Sequence, residues 1–572
     1  MKKIAIGGGQ GFWGDSPDAA IHMIHNADIQ YLACDYLAEL TLSIMAKQQL
    51  KDPSKGYAPD FVTRLLKPAG KTAWERNIKI LTNAGGMNIS GCVDAIRQYA
   101  TEENMKGYKI GYVTGDDIKS KTPQLLKDGW TFPNFDYEGD FTDIVDKIYN
   151  CNAYIGHEGI QSAIEDGADV VVTGRAADSA LFLAPWAYEF GWKDNDWDNL
   201  ARGIMAGHLL ECGGQGAGGN YMYDWRSVPQ MENLGFPIAE LTDKTFEITK
   251  APDCGGVICE QSCKEQFLYE VLDPANYLTP DVNVDISNAT ITQVGDNRVR
   301  IDHIHGKEKP DTLKLCVGYH KGWKTVSMLS FAWPDAYEKA RYCADIIMKK
   351  MKQKGMKADD VHISFIGLNS LHLNVADMSE EALKNLNECV MRIAVFSEDK
   401  NECAKIIPEI SPMQLNGPPG ASFFGGRARV QEVMALWPTS VPREAVDQEP
   451  YYYNIVLHRE DKIMREILLN DIAHGRSGDK GDTSNICVFA RKPEYYEIIK
   501  REVTPERLHD FFGDMVKGEI IRYEVPSLGG FNFVLKHALG GGATMSLRLD
   551  SLGKSMGSAI MRLKIHVKDE EL

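Results

Sequence analysis

The sequence predicts an α/β chain: a large, doubly wound, mostly parallel domain followed by a small C-terminal α+β domain with ferredoxin-like topology. Three observations carry this. Near-continuous apolar runs that break into glycine, asparagine or threonine recur in "IAIGGGQG", "ILTNAGGMN", "IGYVTGDD" and "DVVVTGRAADSA", each followed by helical periodicity. Parallel strands buried on both faces read this way. At 572 residues the chain exceeds a single core, since domains average about 150 residues. Near the C-terminus, "NICVFAR", "PEYYEIIKREV", "PERLHDFFGDMV", "FNFVLKHAL" and "SAIMRLKIHV" alternate strand and helix within one small stretch, which suits a compact α/β sandwich.

In chain order, residues 1–335 are expected to form the α/β core. "WPDAYEKARYCADIIMKKMKQKG" then reads as a helix, "DDVHISFIG" as a strand and "EEALKNLNECVMRIAVFS" as helix then strand. An α+β subdomain over 336–445 would complete the large domain. Three prolines and little periodicity in "WPTSVPREAVDQEPYYY" place a linker at 446–460, and 461–572 is the C-terminal domain.

Composition narrows the partners. With 63 Lys and Arg against 80 Asp and Glu, the formal charge is −17, so nucleic acid and anionic membranes are not expected partners. The chain has no long apolar run and opens without the apolar core of a signal peptide; a cytoplasmic protein is expected. Twelve cysteines without framework spacing fit reduced thiols. Cys254, Cys259 and Cys263 in "CGGVICEQSC" follow no metal-binding spacing and lack a fourth ligand, so no metal is expected.

The candidate chemistry lies in the loops after the strands. Gly9 to Gly14 spell a G-x-G-x-x-G after a strand, and Asp35 follows the next strand where a ribose-binding acid would stand. A dinucleotide is one reading. A tight turn is another, and an anion-binding loop for a small acid or acyl thioester, built from Gly8, Gly9, Gln10 and Gly11, is the preferred one. Asp15, Ser16 and Pro17 resemble a helix cap.

Asn83, Gly85, Gly86 and Asn88 offer uncharged amide donors, and Asp116–Asp117 read as a solvated helix cap. In "TGRAADSA", Arg175 suits a carboxylate or phosphate and Asp178 can orient it or take a proton; a salt bridge closing the helix start is the alternative reading of the two. His208 and Glu211 in "GHLLECGGQGAGGN" are three apart, so on a helix they share a face as a general acid/base couple. Cys212 beside them is a rival nucleophile, whereas His157 and Glu158 in "GHEGI" read as structural. Arg427 and Arg429 follow a proline-glycine hinge and either mark a strand's solvent face or close over an anion. Late in the chain, "IAHGRSGDKGDTSN" packs opposed charges among glycines; surface ion pairs contribute only about 0–1 kcal/mol each, which favours a binding role.

These stretches, with "CDYLAELTL" and "EQFLYEVLDPANYLTPDV", resemble in order and over nearly the whole chain the acyclic terpene utilisation family, AtuA type. The resemblance implies a large domain joined to a ferredoxin-like one, and work on branched acids as coenzyme A thioesters. It matches His474, Arg476, Asp479, Lys480 and Asp482 to the signature loop of the small domain, expected to dock on the large domain and complete a site. The three cysteines near residue 259 depart from the family pattern.

The expected function is a lyase or hydratase acting on a hydroxyacyl or enoyl thioester or the related acid, in a homo-oligomer without a tightly bound cofactor. Coenzyme A would enter as part of the substrate. Arg175, Asp178, His208, Glu211 and Asp479 would be catalytic; Gly8, Gly9, Gln10, Gly11, Asn83, Gly85, Gly86, Asn88, Arg427, His474, Arg476 and Lys480 would bind substrate. Two rivals stand beside it: an NAD(P)-dependent dehydrogenase using the N-terminal glycines, and a non-catalytic acyl-CoA-binding subunit of a larger complex.

Overall fold

The structure is a computed structural model that describes residues 2–454, 464–542, 545–546, 548–568 and 571–572. It divides into two compact units, Met1–Ile455 and Val456–Leu572.

The first unit opens with strands β1 (Lys3–Gln10), β2 (Tyr31–Cys34), β3 (Lys79–Thr82), β4 (Lys109–Thr114), β5 (Ile148–Ala153), β6 (Val170–Thr173), β7 (Pro237–Thr242) and β8 (Phe246–Lys250). Five of them lie side by side in the order β1-β2-β3-β6-β4, all parallel. The apolar runs explain this: every residue of β2 and of β6 is buried, as strands covered on both faces require. Helices Asp18–Asn26, Ile89–Glu102 and Ala180–Phe190 pack on these strands. Asn88 caps the second of them, its side chain accepting the Gly91 N–H at 3.0 Å.

Among the strands of the described residues, parallel pairing is confined to those five. Beyond β1 the sheet continues antiparallel through β7, β8 and the hairpin Arg298–Asp302 with Thr290–Gly295. Glu449–Asn454 adds an antiparallel edge beside β4. That segment falls inside the stretch expected to be a linker. Tyr451 stacks on Tyr112 at 5.3 Å and the Arg97 guanidinium lies 5.2 Å from the Tyr453 ring, contacts that the prolines conceal; an edge strand tolerates Pro450. Residues 455–460 of the expected linker lie outside the described residues.

A second, antiparallel sheet is organised by one long strand, Thr312–Ala332, which pairs with Glu388–Ser397, Ala421–Phe423, Val430–Pro442 and β5. Asp360–Ile366 completes it beside Glu388–Ser397. The sheet therefore crosses the boundary expected at 335, because the whole of its central strand and all of β5 come from earlier in the chain. No helix among the described residues is long and apolar enough to cross a membrane.

The second unit is ferredoxin-like. Its antiparallel sheet runs Ala473–Lys480, Thr483–Ala490, Gly530–Leu535, Ile520–Val525, and Ile498, Ile499, Leu508 and Phe512 from its helices are buried in the core with Phe531 and Phe533. The charged stretch expected as a loop is a β-hairpin, paired from Ala473↔Ala490 to Lys480↔Thr483, with Gly481 turning at φ +64°. Period-two alternation explains it: Ala473 and Ser477 face inward while His474, Arg476 and Lys480 are exposed.

Candidate active site

The carboxyl ends of the parallel strands converge. Gly11 follows β1, Asp35 follows β2, Asn83 follows β3, Asp116 lies past β4 and Arg175 past β6. A crevice at this edge is where open α/β sheets hold ligands. Here a cleft of about 1280 Å³ is lined by Gly11, Asp35, Arg175, Asp178, Glu211 and Cys212 among others. Its apolar walls include Phe12, Leu37, Leu234, Phe236 and Leu313.

Arg175 is buried and fixed from several sides. Its Nε donates to the Ala176 carbonyl at 2.7 Å, and its two terminal nitrogens donate to the Leu37 carbonyl and to Asp178. The guanidinium stacks on the Tyr154 ring at 4.4 Å. Tyr154 in turn donates its hydroxyl to Glu39 at 2.7 Å, and Lys314 reaches the same Glu39 oxygen at 2.7 Å. Burial alone would raise the Glu39 carboxyl, but Lys314 and Tyr154 bring it below its ordinary value.

Asp116 stands behind this turn. Its Oδ2 accepts the Arg175 backbone N–H and the Asn152 amide, each at 2.8 Å. The residue is buried rather than the solvated cap expected, and burial pushes its carboxyl up to about 6. Asp35 is buried too: Leu37 N–H at 2.9 Å and Asn83 Nδ2 at 2.6 Å both donate to Oδ1. Burial raises its pKa, opposed by the charge of Arg175.

His208 lies in the last turn of the helix Trp197–Leu210, and Glu211 caps that helix one turn on. His208 Nε2 lies 3.1 Å from the Gln266 carbonyl oxygen, which only accepts, so Nε2 carries a hydrogen. Nδ1 lies 3.2 Å from Glu211 Oε1. One of those two atoms must carry a further proton: imidazolium against carboxylate, or neutral imidazole against carboxylic acid. Burial pushes the Glu211 carboxyl up, aided by the charge of Asp35. Burial would lower His208, but the hydrogen bond and charge of Glu211 outweigh it and raise its pKa. The pair keeps its shared proton above the usual carboxylate range, and Glu211 is the member that lines the cleft. Cys212, next along, has its thiol pushed up to about 12 by burial and by Glu211, which disfavours a thiolate nucleophile.

The expected binding glycines have other work. Gly8, Gly9 and Gln10 lie in β1 and are buried. A Cβ on Gly8 would stand 2.6 Å from the Leu210 carbonyl oxygen, and one on Gly9 2.6 Å from Cys34 Sγ. These glycines let β1 approach the Glu211 turn and β2. Gly11 does line the cleft, yet its N–H donates to Asp15 Oδ2 at 3.1 Å while Ser16 N–H donates to Oδ1 at 2.7 Å. Asp15 thus sits where a dinucleotide would place its pyrophosphate, and a carboxylate there repels one.

Asn83, Gly85, Gly86 and Asn88 do not line the cleft. Asn83 orients Asp35, and Asn88 caps its helix and donates to the Pro53 and Lys55 carbonyls. A Cβ on Gly85 would meet the Thr173 carbonyl at 2.6 Å. Arg427 is exposed, away from the cleft lining. His474, Arg476, Asp479 and Lys480 belong to the second unit, where His474 stacks on Phe489 at 5.6 Å and Asp479 lies 3.4 Å from Lys554 Nζ. Asp482 accepts the Gly541 N–H at 2.6 Å and closes that hairpin onto the 537–541 turn.

Sequence reasoning missed Glu39, Tyr154 and Lys314, and it assigned Asp35 only a ribose. "CDYLAELTL" holds both Asp35 and Glu39 and was the available signal; Tyr154 and Lys314 stand in no motif. Of the three cysteines, Cys259 caps the helix Glu260–Leu268, Cys254 donates to the Ala251 carbonyl at 2.9 Å and Cys263 is buried.

A parallel-stranded α/β unit that gathers a buried arginine, three buried carboxyls and a histidine about its strand ends and one helix end, with a ferredoxin-like unit after it, defines the class of protein. Comparison with family models then identifies it: residues 4–452 match the acyclic terpene utilisation family protein AtuA, and residues 467–566 match the AtuA ferredoxin-like domain. The chain belongs to the AtuA family, whose role lies in acyclic terpene utilisation. Comparison with curated proteins gives no match, and comparison with solved structures gives none either.

Proposed function

We propose that the cleft is the active site of a lyase or hydratase acting on a branched hydroxyacyl or enoyl compound, as a thioester or the related acid. The observation that carries this reading is the His208–Glu211 pair, which holds one transferable proton at the wall of the cleft. Adding or removing water, or cleaving a carbon–carbon bond beside a carbonyl, each needs a positioned acid and a positioned base. Glu211 and Asp35 supply two carboxyls with raised pKa, and Arg175, anchored by Asp178 and Tyr154, supplies positive charge to the carbonyl oxygen as charge develops there. The N-terminal glycine loop does not favour the dehydrogenase rival, because Asp15 already occupies its donors.

The test is turnover of a panel of branched enoyl and 3-hydroxyacyl esters by the purified full chain, read by mass spectrometry as gain or loss of water or as a cleaved acyl product. Activity that disappears in His208→Gln and Glu211→Gln variants of unchanged melting temperature supports the proposal. A chain that binds such esters without converting any of them is instead the non-catalytic subunit.

A further inference from the structure

The charge around the cleft is one-sided. Arg175 and Lys314 are the cations that line it, and each already faces a carboxylate, Asp178 and Glu39 respectively. Asp136, Glu270 and Asp273 line it from exposed positions. Asp273 accepts from the Asn276 side chain and the Ala275 N–H, which hold its carboxyl below the ordinary range. Burial raises the pKa of the deep carboxyls Asp35 and Glu211, whereas Asp136, Glu270 and Asp273 place three acidic side chains at exposed positions of the lining.

Resting on the acyl-converting reading above, we infer that the cleft selects a branched acyl group on an uncharged arm and repels the phosphates of a coenzyme A nucleotide. Volume does not decide this, since about 1280 Å³ leaves ample room; field does. A cleft lined by one sign of charge concentrates ligands of the other sign or of none, and repulsion is as effective a source of specificity as attraction. Every phosphate brought to the rim meets Asp136, Glu270 and Asp273 with no unpaired cation among the lining residues to offset them.

The experiment compares one acyl group, 3-methylbut-2-enoyl, carried on pantetheine and on coenzyme A, by calorimetry with the full chain at low and high salt. The pantetheine ester is expected to bind at least about threefold more tightly at low salt, and the gap to close as salt screens the rim. The combined variant Asp136→Asn, Glu270→Gln and Asp273→Asn is expected to close the same gap at low salt while leaving pantetheine-ester affinity unchanged. A coenzyme A ester that binds more tightly and is weakened by salt overturns the inference and leaves the acyl reading standing. Failure of both esters to bind overturns the acyl reading and the inference with it.

Discussion

Among the described residues of the first unit, two buried histidine–carboxylate pairs behave differently. His157 Nδ1 contacts Asp281 Oδ1 at 2.7 Å, and the His157 backbone N–H donates to the same oxygen at 2.9 Å. Burial would raise Asp281, but His157 and Arg443 outweigh it and hold the carboxyl low; Asp281 in turn lifts His157. That pair is a fixed ion pair tying the start of the helix Glu158–Glu165 to the 279–282 turn. In His208–Glu211 the carboxyl is instead pushed up and no backbone N–H supports it. The same two residue types give a latch when a backbone N–H and a nearby cation support the carboxylate, as His157 N–H and Arg443 do for Asp281, and a proton store when they do not.

Breaking the latch has the largest expected effect. Asp281→Ala leaves a buried histidine without its partner and is expected to cost about 3–5 kcal/mol, seen as a marked fall in melting temperature. Glu211→Gln is expected to leave the melting temperature nearly unchanged, because a glutamine amide can donate to a neutral Nδ1. Equal destabilisation by both would erase the distinction.

The pH dependence of stability sharpens the comparison. Asp281 has a lowered pKa, so its contribution is present above its ordinary value of 3.8 and is lost as pH falls through the folded value. His157 has a raised pKa, so its contribution is present below 6.5 and is lost as pH rises through the folded value. The latch is therefore strongest between those limits. Thermal melts across pH should show the Asp281→Ala penalty greatest in that window.

Asp116 has the opposite sign. With a carboxyl raised to about 6 from 3.8, the folded chain takes up a proton before the unfolded one does, and stability should rise as pH falls from 6 towards 4. The span is worth about 3 kcal/mol, and Asp116→Asn should remove that slope. The smallest effect is at Cys212. With its thiol held near 12, Cys212→Ala should change turnover less than about twofold and iodoacetamide should label it slowly at neutral pH.

Much of this was legible in the sequence. Arg175, Asp178 and Glu211 could be singled out because strand ends and helix ends leave a recognisable break from apolar runs to glycine and charge. The role of the glycines could not. Whether Gly8 and Gly9 bind an anion or admit a neighbouring backbone depends on Leu210 and Cys34, which approach only in the folded chain. Similarly, five charged or polar residues among glycines hid the strand Ala473–Lys480, whose inward positions are small residues with little apolar signal. The long strand Thr312–Ala332 escaped because its partners are distant in the chain, Ile148 lying opposite Tyr319 and Pro442 opposite Thr312.

The central claim is that Glu211, backed by His208, delivers and accepts a proton at a substrate in the cleft. Incubating the chain in deuterium oxide with a branched enoyl ester, and measuring deuterium carried into the acyl chain by mass spectrometry, tests it directly. Incorporation in the native chain that falls by about 10²–10⁴ in Glu211→Gln, with Cys212→Ala unaffected, is the predicted result. Incorporation that survives in Glu211→Gln at the native rate would contradict it.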